Sequence, residues 1–161
     1  ITGLGLMSCS LWMLVRDPAS RPAGRSGSER LMALCLLGGY LWLGVGGVLL
    51  LGGTRALQGW HYDMTLHSLF VGFVFSLILA HLPQLLPHVL KRRPVYHASL
   101  YWPVLLLHLS LLLRLAGGPL HQMPLRAWGG LLNVLALIAF VLLVLGQVFL
   151  TNEDKNSIHT P

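Results

Sequence analysis

Two histidines set in an otherwise apolar run, His67 and His81 of LHSLFVGFVFSLILAHL (66–82), are the side chains best suited to chemistry in this chain. An imidazole in lipid is costly unless it finds a partner, and neutral imidazole is also a common axial ligand of haem iron. At about 100° per residue, the fourteen-residue separation leaves the pair about 40° short of alignment and about 21 Å apart along a helix axis. Both therefore lie on one face, with Phe70, Val74 and Leu77 between them. The opposite stripe of Ser68, Gly72, Ser76 and Ala80 is small at every fourth position and reads as a packing seam. A helix with this pattern packs on one side and presents two imidazoles on the other. Those imidazoles either hydrogen-bond to neighbouring helices or ligate a metal.

Partners can be sought by depth. His97 and His108 on the following segment can each face His81, depending on whether the third segment stops at Pro83 or continues to Leu90. His61 and His121 are level with His67. Arg114, at the far end of the fourth segment, either snorkels to the headgroups, the simpler reading, or pairs with a haem propionate. WHYDM (60–64) and HQM (121–123) mix His, Asp and Met in a way that could hold copper. Asn133 and Gln147 are again fourteen apart and read as glue between helices.

The elements that carry these residues follow from composition. A mean hydropathy of +0.70 with only 10% charged residues lies outside the range of soluble domains and defines an integral membrane protein. Apolar runs fall at Ile1–Val15, Leu31–Gly52, Met64–Leu82, Ser99–Ala116 and Ala127–Leu150. Only helices and closed barrels satisfy their backbone in lipid, so the expected fold is an all-α membrane bundle of about five transmembrane helices. The first run is short for a span and is read as truncated. The organisation is thus a partial helix (1–15), a Pro-, Gly-, Ser- and Arg-rich loop (16–30), a four-helix bundle (31–150) and a polar tail (151–161). The second segment is dense in glycine (Gly38, Gly39, Gly44, Gly46, Gly47), which lets helices approach closely or admits a flat ligand, helix packing being the simpler use. Trp42, Trp60, Tyr62, Tyr101, Trp102 and Trp128 read as interfacial anchors, and Cys9 and Cys35 as small buried hydrophobes.

The net charge of +6 encodes topology rather than nucleic-acid binding. Arg16, Arg21, Arg25, Arg30, Lys91, Arg92, Arg93 and Lys155 gather on one side, against Arg55, Arg114 and Arg126 on the other. The positive-inside bias puts the first group, and the C-terminus, in the cytoplasm. Asp63 is the sole acidic residue between positions 31 and 150, which argues against coupled transport. No nucleophile and base pattern, phosphate loop or dinucleotide fingerprint is present.

The run HSLFVGFVFSLILAHLPQLLPHVL, followed by LHLSLLLRLAGG and WGGLLNVLALIAFVLLVL, resembles the C-terminal half of the NnrS family over residues 64–150. Those are bacterial membrane proteins of many helices, described as containing haem and copper and linked to nitric oxide metabolism. The shared features are a helix opening with His67 and Gly72, a later histidine near the cytoplasmic end, a leucine-rich helix ending in Arg114 and a final apolar helix. The family often has a GHTGRPL-like turn where this chain has AHLPQLLP, so only His67 and His81 carry over as candidate haem ligands. The resemblance implies a multi-pass protein of the bacterial inner membrane. The leading expectation is therefore a b-type haem protein with a redox or electron-transfer role. His67 and His81 would be its primary ligands, His108 the next candidate, and His97 and His121 the alternatives. The rival expectation is a non-catalytic structural or assembly subunit, and either reading implies other membrane subunits as partners.

Overall fold

The computed structural model describes residues 1–52, 58–92 and 96–156, with side chains described as far as residue 149. Arg55, Arg93 and His159 fall outside the described residues. Among the described residues, five helices form an all-α bundle: α1 (Thr2–Arg16), α2 (Gly27–Leu50), α3 (Gly59–Val89), α4 (Tyr101–Ala116) and α5 (Met123–Asn156). Four spans are long and apolar enough to cross a membrane: α2, α3, α4 with its preceding turn (Ala98–Ala116), and Met123–Phe149 of α5. Their outward faces carry exposed leucines, valines and isoleucines such as Leu41, Leu105, Leu112, Leu131 and Leu142. An apolar surface of this extent is what a lipid-facing bundle requires.

The centre of the bundle is α2, and its glycines are shared among three neighbours. A Cβ at Gly47 would meet Met7 and the Gly3 carbonyl of α1, and one at Gly44 would meet the Ser10 hydroxyl. Ser10 Oγ then donates to the Tyr40 carbonyl at 2.6 Å, a hydrogen bond between α1 and α2. Gly39 faces Ser76 and Leu77 of α3, Gly46 faces Leu69, and Gly38 lies under the His108 ring of α4. Close helix packing is thus the use to which the glycine density is put.

The small stripe of α3 behaves as expected: Ser68, Gly72, Ser76 and Ala80 are all buried. Gly72 receives the Trp42 side chain so closely that a Cβ there would overlap the indole. Trp42 is consequently a buried mid-helix residue, 7% exposed, and not an interfacial anchor. Residues Ser68–Val74 are wound as a π-helix. Its wider turns rotate less per residue and shift the register downstream. This explains one departure from the sequence pattern: Leu77 turns in toward Gly39, and Ile78 takes the exposed position between the two histidines.

Pro83 and Pro87 do not end α3, which runs on to Val89 with both prolines buried. Neighbouring helices can support the backbone groups that such prolines free. The helix stops instead in a Schellman turn, in which Arg92 N donates to Pro87 O at 2.8 Å and Lys91 N to His88 O at 3.1 Å. Lys91 adopts the left-handed conformation (φ 52°) that this motif requires.

The loop between α1 and α2 is more ordered than its composition implies. Asp17 caps a 3₁₀ turn at Pro18–Ser20, its Oδ2 accepts from Tyr40 Oη at 2.7 Å, and Ser20 is buried. Pro after an Asp cap is preorganised for a helical start. Helix α4 is joined to α5 by the hydrogen bond from Ser110 Oγ to Asn133 Oδ1, at 2.6 Å.

Replacing Gly72 with Leu drives a side chain into Trp42 and should cost at least about 2 kcal/mol, at the upper end of overpacking effects. Gly5→Leu, at an exposed position with open space around it, should be neutral. Thermal midpoints in detergent for the two variants check this, and equal midpoints would contradict the packing of α2 on α3.

Candidate functional site

The first turns of α3, which include WHYDM, form a helical surface from which Asp63 and His67 project one turn apart. Asp63 gathers the polar end of the bundle. Its Oδ1 accepts from Arg114 Nη2 at 2.7 Å, and its Oδ2 lies 3.2 Å from Arg126 Nη2. Arg114 Nη1 also donates to the Arg126 carbonyl at 2.9 Å. The three side chains are between 18% and 25% exposed. Arg114 is therefore an ion-pair partner of Asp63 rather than a snorkelling residue.

The sequence held a signal for this in AGG (116–118) and WGG (128–130). A Cβ at Gly130 would come within 2.6 Å of Arg114 Nη1, one at Gly129 within 2.6 Å of the Arg114 backbone nitrogen, and one at Gly117 within 2.7 Å of Arg126 Cγ. These glycines make the room in which two guanidinium groups reach one carboxylate. With His67 neutral, the cluster carries one positive charge in excess.

His67 Nδ1 lies 2.7 Å from the Asp63 backbone carbonyl and 3.3 Å from Asp63 Oδ1. A carbonyl only accepts, so Nδ1 carries a proton, and in the neutral ring the lone pair is on Nε2. That tautomer is the one a metal-ligating histidine uses when a backbone or carboxylate oxygen orients it.

His108 is held in the opposite sense. Trp42 Nε1 donates to His108 Nδ1 at 3.0 Å, so the neutral ring carries its proton on Nε2 and has no lone pair there for a metal. The other candidates stand apart. His81 is exposed on the stripe of Phe70, Val74, Ile78 and Leu85, and among the described residues it makes no hydrogen bond. His97 is exposed, bonded to Ser99 at the start of α4. His121, in the turn before α5 with φ 54°, lies edge-on to Trp60, whose indole stacks on His61 at 3.5 Å. Thus His67 is brought together with Asp63, Arg114 and Arg126, while His81, His97, His108 and His121 have separate surroundings. Among the described residues, no group of three or more His, Cys, Asp or Glu side chains converges. Of the cysteines, Cys35 is buried as expected, but Cys9 is exposed on α1.

Fold and site together define a multi-span helical membrane protein with a charged cluster at one end of the bundle. The chain belongs to the family described as Domain of unknown function (DUF8744), whose profile matches residues 1–149. Comparisons with the curated proteins and with the solved structures return no match.

Replacing Asp63 with Asn leaves two half-buried guanidinium groups without their counter-charge, which should cost about 3 kcal/mol, the low end of the range for broken buried pairs. Removing an arginine as well, in Asp63→Asn with Arg114→Gln, should recover part of that loss. Denaturation midpoints in detergent test both steps. A single variant within about 0.5 kcal/mol of the parent, the usual surface effect, would show that the cluster stabilises little.

Proposed function

We propose that this protein is a membrane-embedded binder of a b-type haem, with His67 as an axial ligand and a redox or electron-transfer role. The observation that carries the reading is the hydrogen bond from His67 Nδ1 to the Asp63 carbonyl, which leaves Nε2 free in the tautomer that iron needs. The excess positive charge of the Asp63, Arg114 and Arg126 cluster beside it suits a propionate. His81, toward the other end of α3, is the second candidate ligand. The bound group would supply one-electron chemistry, and the polypeptide would hold and orient it.

The resemblance to the NnrS family supports the same reading, with a bacterial inner membrane as the proposed location. The basic residues Arg16, Arg21, Arg25, Arg30, Lys91 and Arg92 then mark the cytoplasmic side, together with the C-terminus. Copper is the weaker alternative, since His61, Asp63 and His121 do not form a three-ligand group.

A second reading has its own observation. The stripe Phe70, Val74, Ile78, His81 and Leu85 is uncovered, and a histidine facing lipid alone is costly. A structural subunit whose partner covers that stripe accounts for this without a cofactor.

Visible spectra of the purified protein, oxidised and then reduced, separate the two. The haem reading expects a Soret band, stoichiometric iron, and loss or a marked shift of the band in His67→Ala. His108→Ala should retain it. Absence of both Soret band and iron from protein made in haem-replete cells would overturn the reading and favour the structural one.

A further inference from the structure

A second site, between α2 and α4, shares no residue with the Asp63 cluster and is independent of the haem reading. Gly38 and Leu41 of α2, with Tyr101, Trp102, Leu105 and His108 of α4, line a cleft of about 430 Å³ open on its outer side. Apart from the tyrosine, tryptophan and histidine side chains, its walls are hydrocarbon. The His108 ring reaches the inner wall of the cleft because Gly38 has no side chain: a Cβ there would stand 2.8 Å from His108 Nε2.

The chemistry of that wall is fixed from behind. The Trp42 indole donates to His108 Nδ1, so the ring must offer a proton at Nε2. Among the described residues, no acceptor meets that Nε2–H. An unpaired donor in an apolar wall is unfavourable by roughly 1–3 kcal/mol until something accepts from it. What the cleft lacks is one hydrogen-bond acceptor carried on an apolar body.

Depth narrows the choice. Tyr101 and Trp102 stand at the start of α4, where aromatic rings mark the membrane interface. His108 lies seven residues further along the helix, about 10 Å deeper. The ester carbonyls of a phospholipid stay near the interface and do not reach that level. A flat ring bearing carbonyl oxygens and dissolved in the bilayer does.

We propose that the α2 and α4 cleft binds a quinone, whose carbonyl accepts from His108 Nε2 while its ring lies between the leucine walls. Trp42 is a positioning residue for this site: it touches the imidazole and not the ligand, and it sets which nitrogen carries the proton.

The experiment uses the full chain in nanodiscs and decyl-ubiquinone as the probe, with binding measured by titration calorimetry. The parent protein should bind saturably. His108→Leu removes the donor and should weaken binding about tenfold or more, corresponding to about 1.4 kcal/mol. His108→Gln keeps an N–H donor and should bind within about threefold of the parent, a rescue that a purely structural role for His108 would not give. Leu105→Trp, at a position that already faces outward, should block the cleft without disturbing the core. Trp42→Phe should weaken binding while leaving the cleft walls in place. Thermal midpoints, compared in parallel, identify any variant that fails to fold. Absence of saturable binding by the parent would overturn the proposal. So would parent-like binding by both His108→Leu and Leu105→Trp. Displacement of the probe by monoacylglycerol, with no preference for the quinone, would assign the cleft to acyl lipid and overturn it equally.

Discussion

The placing of α1, α3 and α4 depends on how closely each can approach α2. Between helices in lipid there is no hydrophobic driving force of the kind that builds a soluble core, because hydrocarbon tails are as apolar as leucine. Association must come from close contact and from hydrogen bonds. In α2 the glycines are distributed by direction: Gly44 and Gly47 toward α1, Gly39 and Gly46 toward α3, Gly38 toward α4. One helix with missing side chains on three sides can serve as the axis for three neighbours. The polar ties follow from that proximity, since Ser10 reaches the Tyr40 carbonyl and Trp42 reaches His108 only because the backbones are close.

The same constraint explains why polar residues sit where they do. A charged group in a bilayer must pair, face an aqueous end or be absent. Asp63, Arg114 and Arg126 do the first two at once, at the end of the bundle where α3 begins and α4 ends. The glycines at 117, 129 and 130 lower the cost of bringing the guanidinium groups together. His67 then inherits its tautomer from this arrangement, through the Asp63 carbonyl one helical turn before it. His108 inherits the other tautomer from Trp42. Two histidines in one bundle are thus set to opposite roles by neighbours that are not themselves reactive.

Much of the fold was legible in the sequence, for reasons that can be named. Five apolar runs gave five helices because the bilayer admits few alternatives. The Ser68, Gly72, Ser76 and Ala80 stripe proved to be the buried seam because small residues at fourth positions are the general means of close helix contact. Less was legible where long-range pairing decides. Arg114 read as a snorkelling residue because its partner Asp63 is fifty-one positions away. Trp42 read as an anchor because indole rings prefer interfaces, yet here Gly72 opposite it makes a pocket for the ring. The π-helical stretch was hidden too. A count at 100° per residue assumes uniform winding, and the phase change that exchanges Leu77 for Ile78 has no compositional mark.

That phase change bears on the two histidines themselves. The π-helix lies between His67 and His81 and sets the angle between them. Without it, each residue beyond Val74 would be rotated relative to the first turns of α3, and the small-residue seam would run away from α2 instead of along it. The sequence accepts the weaker hydrogen-bond geometry of a π stretch over Ser68–Val74, and π-bulges are frequent at functional sites. The winding keeps Gly72 on Trp42 and Ser76 on Gly39 while Phe70, Val74, Ile78 and His81 form the outward stripe. Packing on one face and orientation on the other are therefore linked through the backbone of a single helix. Nothing that altered the register of one could leave the other in place.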